Sequence, residues 1–132
     1  MWLPDTNAWI ALMNARQSAA KSRMQSQSSA DIFLCDIVKA ELYYGAYRSA
    51  RRDKNMEVLE QLFSAFASLS FDGAAARVCG RIRAGLAVVG TPIGPYDLQI
   101  ASIALVHDFI VVTHNTGEFD RVPGLKVEDW ET

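Results

Sequence analysis

A chain of 132 residues, half of them apolar, is long enough to bury one hydrophobic core and predicts a single domain over residues 1–132. Its formal net charge of −2 argues against a general nucleic-acid-binding surface, so contacts with phosphates must come from local patches or from a metal ion. The longest apolar runs, such as 109–112, are too short to span a bilayer, and the N-terminal residues lack the basic and long apolar regions of a signal peptide. We therefore expect a cytoplasmic protein with no membrane partner.

Short β-like runs alternate with longer helical patterns along the chain. The runs that predict strands lie at 2–4, 32–34, 69–71, 109–113 and near 126–127. Helical patterns cover about 8–13, 19–26, 36–49, a region around 56–66 and 72–83, and the last predicted helix begins at residue 95. The alternation predicts an α/β fold of the three-layer α/β/α kind, with a mostly parallel central sheet of about four to five strands.

Several acids stand where helices are predicted to begin. Asp5 follows the first strand, within the stretch MWLPDTN, and Asp36 and Asp72 each precede a helical pattern, so all three suit the N-cap position. Asp97 falls in the first turn of the helix that Pro95 opens, where free N–H groups favour a negative side chain. Capping is a sufficient explanation for any one of these acids.

Four acids are nevertheless predicted to meet at one edge of the sheet. Asp5 ends the first strand, Asp97 opens a late helix and Glu118 lies in the loop after the fourth strand. Glu41, one to two turns into the helix after the second strand, can reach the same edge. Carboxylates that converge in a cleft repel one another unless they are protonated or neutralised. A divalent cation with oxygen ligands, Mg²⁺ or Mn²⁺, would resolve the repulsion and activate a water.

Polar residues beside these acids are candidates for supporting roles. They are Thr6, Asn7, Thr113 and Asn115. Hydroxyl and amide groups next to carboxylates orient them and fix the geometry of a metal site. We expect these side chains to support the site by orienting carboxylates or metal-bound water.

Each acid also has a purely structural interpretation, and the sequence leaves both open. Asp5 can be only a cap, Glu41 a solvated helix residue and Glu118 a loop acid. Asp36 and Asp120 lie close enough in the sequence to be alternative ligands. The four-acid site is therefore a hypothesis about a group of residues.

The two cysteines do not predict a disulfide or a zinc site. Cys35 and Cys79 form no CxxC pair, and neither His107 nor His114 lies at a zinc-finger spacing from them. We interpret both as small core residues, with a disulfide as the lesser alternative.

Four stretches, taken in order, resemble one known family. They are DTN at the start, VKAELYYGA before residue 50, GTPIGPYDLQIASIAL, and VVTHNTGEFDRVPGLKVEDW. Together they resemble the PIN-domain ribonucleases, and most closely the VapC toxins of type II toxin–antitoxin modules. The resemblance covers nearly the whole chain.

The resemblance implies a Mg²⁺- or Mn²⁺-dependent endoribonuclease. Its catalytic and metal-binding acids would be Asp5, Glu41 and Asp97, with a fourth acid three residues after the Asn of a T-x-N motif. That fourth position, usually Asp in the family, is Glu118 here. The extra methylene leaves open whether Glu118 binds the ion directly or through water.

The resemblance also implies a cellular role and partners. Such proteins inhibit translation by cutting structured RNA, often tRNA, are neutralised by a cognate VapB antitoxin and commonly form homodimers. A basic cluster suited to RNA phosphates, or alternatively a solvated helix end, consists of Arg48, Arg51, Arg52 and Lys54. Five large side chains offer more apolar surface than a small core needs, and part of that surface is expected to receive an amphipathic antitoxin segment: Trp9, Leu12, Met13, Phe63 and Phe66.

Two departures from the family pattern and two rival functions remain. Pro4 removes a backbone donor just before Asp5, and Asp36 stands where relatives often carry a small hydroxyl residue. A haloacid-dehalogenase-type phosphatase would need a second Asp where Asn7 stands. A non-catalytic PIN-like module for binding RNA or protein is the other alternative, although a binding surface has no use for four mutually repelling acids.

Overall fold

A computed structural model describes residues 1–14 and 16–132. Its strands are β1 (Trp2–Pro4), β2 (Leu34–Cys35), β3 (Ser68–Leu69), β4 (Ile110–Val112) and β5 (Val127–Glu128). Its α-helices are α1 (Thr6–Met13), α2 (Ala19–Gln25), α3 (Asp36–Arg48), α4 (Arg52–Ala65), α5 (Gly73–Val89), α6 (Pro95–His107) and α7 (Thr116–Phe119). The predicted alternation of strands and helices is confirmed.

Every strand pairing in the described chain is parallel. The first sheet has the order β1-β4-β5, with Leu3 opposite Val111. The second consists of β2 and β3, and a single parallel bridge between Trp2 and Ile32 joins the two sheets. The strands predicted at 32–34 and 69–71 are each displaced by one or two residues. Ile32 forms only the isolated bridge to Trp2. The regular pairing with β3 is made by Leu34 and Cys35, the two residues directly before α3.

Two of the predicted N-caps are confirmed and one is wrong. The carboxylates of Asp5 and Asp72 accept hydrogen bonds of 2.8 and 3.0 Å from the backbone N–H three residues on, and Pro95 is the first residue of α6. Asp36, however, is the first helical residue of α3, and Cys35 is its N-cap. The extended backbone of β2 continues through Cys35, which places Asp36 in the first turn, where the helix dipole favours its charge.

Helix α5 is longer than predicted. It continues past residue 83 to Val89 and ends at Gly90, whose φ of 74° is in the left-handed region that glycine adopts without a steric cost. The next segment, 91–94, leads directly into α6. The glycine therefore sets the turn that brings the start of α6 back over the end of α5.

The core surrounds helix α6. Six of its residues are buried: Leu98, Ile100, Ala101, Ser102, Ile103 and Ala104. A helix buried on nearly all sides is central to its domain, and α6 packs against α5, α3 and β4. Its first turn, which carries Asp97, is thereby fixed relative to the sheet. In the described part of the chain, no helix is long and apolar enough to cross a membrane.

The apolar surface expected from α1 and α4 is largely core. Trp9 is fully buried and packs edge-on against Phe66, with ring centroids 5.0 Å apart, and Leu12 is buried beside it. Met13 and Phe63 are partly buried and pack against the same core. The expectation was wrong for Trp9 and Leu12, because helical spacing cannot tell which face a neighbouring helix covers. Cys35 is buried, and it and Cys79 are free thiols, as predicted.

Candidate active site

The carboxyl ends of β1 and β4 bring Asp5 and Thr113 together. Because these strands are parallel neighbours, the residues that follow them lie side by side, and Asp5 N–H donates to the Val112 carbonyl at 2.9 Å. Thr113 Oγ1 donates a 2.6 Å hydrogen bond to Asp5 Oδ2 and accepts a 2.9 Å bond from the N–H of Asn115. Asp5 Oδ1 accepts from the N–H of Ala8. Both oxygens of Asp5 are thus held in place.

Asp5 is buried, with 4% of its surface exposed. Burial raises the pKa of its carboxyl group, the hydrogen bonds from Thr113 and Ala8 oppose that rise, and the nearby charges of Glu41 and Glu131 add to it. A buried carboxylate with negative neighbours is a strong attractor for a cation. Asp5 therefore has the features of a cation ligand in addition to its structural role as the N-cap of α1.

Glu41 enters the site from α3. Its side chain is half-buried, and Thr6 Oγ1 donates a 2.6 Å hydrogen bond to Glu41 Oε1. Thr6 is the first residue of α1, directly after Asp5, so the start of one helix orients acids on two different elements. The predicted supporting positions of Thr6 and Thr113 therefore correspond to direct contacts.

Asp97 and Glu118 form the other half of the cluster. Glu118 Oε1 accepts a hydrogen bond from the N–H of Gly94, and Oε2 accepts one of 2.6 Å from Asn115 Nδ2. The Gly94 and Asn115 bonds lower the pKa of Glu118. Burial, followed by the charge and hydrogen bond of Glu118 and the charges of Asp5 and Glu41, raises the pKa of Asp97 to about 7. The surroundings of this pair therefore shift the two pKa values in opposite directions, up for Asp97 and down for Glu118.

The backbone at position 94 lies close to the carboxylate of Glu118. A Cβ there would lie 3.3 Å from Glu118 Oε1 and 3.9 Å from Asp97 Oδ2. The neighbouring Pro92 carbonyl accepts a 2.8 Å hydrogen bond from Arg121 Nη1. Residues of α7 and just after it therefore hold the loop that precedes α6. The sequence did not indicate these contacts, since they join two segments far apart in the chain, and the loop position predicted for Glu118 was wrong because a short helix, α7, begins at Thr116.

Not every candidate joins the cluster. Asn7 is exposed and makes no side-chain hydrogen bond within the described residues, so nothing in its surroundings indicates a supporting role. Asp36 and Asp120 are exposed, and neither is among the main charges acting on Asp5 or Asp97. The basic residues Arg48, Arg51, Arg52 and Lys54 are exposed near the end of α3 and the start of α4.

A second group of polar residues lies beside Asp5 and was not predicted. His114 Nδ1 is 3.0 Å from Asp129 Oδ2 and 3.9 Å from Glu131 Oε2. Of the described residues, these three are the one group of at least three possible metal-ligating side chains whose donor atoms all lie within 4.8 Å. The four predicted acids are spaced more widely. Because β5 pairs in parallel with β4, the residues that follow β5, which include Asp129 and Glu131, lie at the same edge of the sheet as His114.

The four acids fit a hard divalent cation by chemistry and by charge. All their donor atoms are oxygen, which Mg²⁺ and Mn²⁺ prefer. Glu118, Asp5 and Glu41 all act on the pKa of Asp97, so the four share one electrostatic environment. A cation would relieve this repulsion, whereas a zinc-type site would be expected to include imidazole or thiolate ligands.

Comparison with known proteins places the chain in a family. A model of the PIN domain matches residues 2–125. The tRNA(fMet)-specific endonuclease VapC of Salmonella typhimurium is 39% identical over 96% of this chain and 95% of its own length. The chain belongs to the VapC ribonucleases of the PIN-domain family. Ribonuclease VapC2 of Haemophilus influenzae is 34% identical to this PIN domain over 98% of it and 97% of the relative.

Solved structures agree with this assignment. The PIN domain matches a chain of the DNA-bound VapBC structure from Salmonella typhimurium with a TM-score of 0.91 and 38% identity, over 98% of this chain and 97% of that one. A chain of VapBC2 from Rickettsia felis, bound to a DNA fragment from the promoter, matches with a TM-score of 0.90 and 29% identity over 98% of each chain. The predicted fold and ribonuclease class are confirmed, and the phosphatase and non-catalytic alternatives are left without support.

Proposed function

We propose that this PIN domain is a Mg²⁺- or Mn²⁺-dependent endoribonuclease that acts as the toxin of a VapBC pair and cuts tRNA in the cytoplasm. The observation that carries the proposal is the electrostatic coupling of four acids from four different segments of the chain. Glu118, Asp5 and Glu41 together with burial raise the pKa of Asp97 to about 7. Such clustering of perturbed acids is typical of an active site and costs stability unless a cation offsets it.

Asp5, Glu41 and Asp97 would hold the ion. Each oxygen of Asp5 accepts one hydrogen bond from the protein, which leaves lone pairs free for a metal. Glu41 has one oxygen committed to Thr6, and its other oxygen makes no side-chain or backbone hydrogen bond within the described chain. When bound, a divalent ion supplies a water-derived nucleophile and stabilises the charge that develops on the phosphodiester.

Glu118 would act mainly through its neighbours. Both of its oxygens already accept hydrogen bonds, from Gly94 and Asn115, so it is less free than the other acids to bind an ion directly. Together with burial, its charge raises the pKa of Asp97. We infer that Glu118 contacts the ion through water and positions the first turn of α6.

The tRNA substrate is supported by the Salmonella relative, whose name is tRNA(fMet)-specific endonuclease VapC. Four basic side chains would attract the RNA backbone: Arg48, Arg51, Arg52 and Lys54. They offset the repulsion between the acids and the phosphates. The net charge of −2 makes such a local patch necessary.

The antitoxin would bind in a groove between α1, α3 and α4. The groove has a volume of about 260 Å³ and is lined by Ile10, Met13, Glu41, Leu42, Gly45, Ala46, Asn55, Val58 and Leu59. Ile10 and Val58 are 52% and 42% exposed, which suits an apolar segment of a partner. Because Glu41 lies in its wall, a segment seated there would obstruct the acids. Several similar structures are VapBC complexes. The toxin is also proposed to form a homodimer.

Incubation of purified protein with a tRNA pool tests this function. We expect discrete new RNA ends with Mg²⁺ or Mn²⁺, none in excess EDTA, and none with the Asp5→Asn or Glu41→Gln variant in the presence of metal. The Asp36→Asn variant, which removes an exposed acid from the same helix as Glu41, should cleave like wild type. Full cleavage in EDTA would overturn the metal-dependent mechanism.

A further inference from the structure

Two exposed tyrosine–arginine pairs lie on α3 and the start of α4. Arg48 Nη1 donates a 2.9 Å hydrogen bond to Tyr44 Oη, and the guanidinium carbon lies 5.8 Å from the Tyr44 ring centroid. Arg52 lies 5.9 Å from the centroid of Tyr47. The two tyrosines are 63% and 56% exposed. The pairs have similar chemistry, so their positions relative to the acids distinguish them.

Tyr44 and Arg48 lie on the same side of α3 as Glu41. They follow it by three and seven residues, and at 3.6 residues per turn these positions fall on one face, with Arg48 about 10 Å along the axis from Glu41. Tyr47, six residues after Glu41, is turned away by about 120°. The Tyr44–Arg48 pair thus extends the helix face that carries the acid, whereas the Tyr47–Arg52 pair does not.

The two flanks of Glu41 differ in character. Leu42, Gly45 and Ala46 line the apolar groove on one flank. The other flank carries an exposed aromatic ring and a guanidinium group, which together match a base and a phosphate. An apolar protein segment would find a better match in the groove, and RNA would find a better match in the Tyr44–Arg48 pair.

We propose that Tyr44 and Arg48 form a nucleotide subsite beside the acid cleft, in which an unpaired RNA base stacks on Tyr44 and an adjacent phosphate binds Arg48. This rests on the proposed ribonuclease function and adds a requirement for unpaired nucleotides next to the cut. Bases within a duplex are already stacked on one another and have no free face to offer. Stacking tolerates every base, so the subsite selects RNA shape and not sequence.

Binding of RNA to an inactive background, Asp5→Asn, tests the subsite apart from cleavage. The probe is a short fluorescein-labelled RNA of mixed sequence, single-stranded or annealed to its complement, measured by fluorescence anisotropy. Adding Tyr44→Ala should weaken binding of the single strand by about fivefold or more and leave duplex binding nearly unchanged. Tyr44→Phe should retain most of the affinity. Arg48→Lys should lose part of it, because lysine keeps the charge without the planar group that binds a phosphate through two hydrogen bonds.

Tyr47→Ala is the matched control, since it removes an equally exposed tyrosine from the same helix. It should bind both probes like the background protein, and circular dichroism melts should show that all variants are folded. Equal losses for Tyr44→Ala and Tyr47→Ala, or equal losses for single strand and duplex, would overturn the subsite.

Steady-state cleavage separates this inference from the function on which it rests. In otherwise wild-type protein, Tyr44→Ala should raise KM for tRNA with little change in kcat. If wild-type protein cleaves tRNA in a metal-dependent way and Tyr44→Ala leaves KM unchanged, the subsite is contradicted and the ribonuclease function is not. If wild-type protein does not cleave tRNA but binds the single strand in a way that depends on Tyr44, the ribonuclease function is contradicted and the subsite is supported.

Discussion

Thr113 Oγ1 donates a 2.6 Å hydrogen bond to Asp5 Oδ2 across the β1–β4 pair. The same hydroxyl accepts from the N–H of Asn115, so one side chain links the end of β4 to a buried carboxylate at the end of β1. Such a contact fixes the carboxylate in one orientation and opposes the rise in its pKa that burial causes. It is a positioning contact, and its removal has a definite signature.

Thr113→Val should reduce cleavage while the protein stays folded. Valine keeps the volume and removes the hydroxyl, which leaves the buried Asp5 with one hydrogen bond fewer. We expect kcat to fall about tenfold or more. The pKa of Asp5 should rise, so the pH at which activity reaches half its maximum on the acidic side of the pH profile should increase. Thr113→Ser should restore both. A valine variant with wild-type rate and an unchanged pH profile would show that the contact is only structural.

The raised pKa of Asp97 predicts a pH-dependent loss of stability without metal. Its pKa in the folded protein is about 7, above the ordinary value of 3.8, so the folded state binds the proton more tightly than the unfolded chain. The contribution of Asp97 to stability is therefore present at low pH and is lost as pH rises from about 4 to about 7. Melts in EDTA should show this decline in wild type and a smaller one in Asp97→Asn.

Asp97→Asn should accordingly melt higher than wild type at pH 8 in EDTA and gain much less on addition of Mg²⁺. A cation at about 100 times its Kd stabilises the native state by roughly 2.7 kcal/mol. Against this, the N-terminus of α6 favours a negative side chain by about 0.3 to 1 kcal/mol. Equal Mg²⁺ shifts for both proteins, with wild type the more stable in EDTA, would mean that Asp97 is only a helix-end residue.

Glu118 is expected to matter less to the chemistry than Asp97. Glu118→Gln should reduce cleavage less than Asp97→Asn does, and Glu118→Asp should retain activity. The amide also loses one of the two acceptor oxygens that serve Gly94 and Asn115, so Asn115→Ala should reproduce part of its effect. Parallel measurements of kcat on the four variants decide this. A Glu118→Gln variant as inactive as Asp97→Asn would rank Glu118 with the direct ligands.

In cells, induced expression without an antitoxin should stop growth and protein synthesis, and expression of Asp5→Asn to the same level should not. The acid is replaced by an amide of the same size, so the fold is retained while the charge that would hold the cation is lost. Growth rate and incorporation of labelled amino acids are the measurements. Normal growth with abundant wild-type protein would count against the toxin function.

The order of elements and the positions of Asp5 and Asp97 were predictable because they depend on local patterns and on a general property of parallel sheets. Asp5 and Asp97 follow from a strand end and a helix start, whose positions sequence periodicity indicates. The contact of Glu118 with Gly94 was not predictable, since it joins α7 to a residue 24 positions earlier in the chain. The burial of Trp9 was missed for a related reason: its environment is set by Phe66, on a distant segment.

Binding of Mn²⁺ to the metal-free protein, measured by isothermal titration calorimetry with electron paramagnetic resonance of the free ion, tests the four-acid site most directly. The measurement is best made in a His114→Ala background, which removes the cluster of His114, Asp129 and Glu131 as a competing site. We predict binding by this background and by its Asp36→Asn derivative, and loss of that binding with Asp5→Asn, Glu41→Gln or Asp97→Asn. Equal binding by all of these proteins, or none by the background, would contradict a metal site built from these acids.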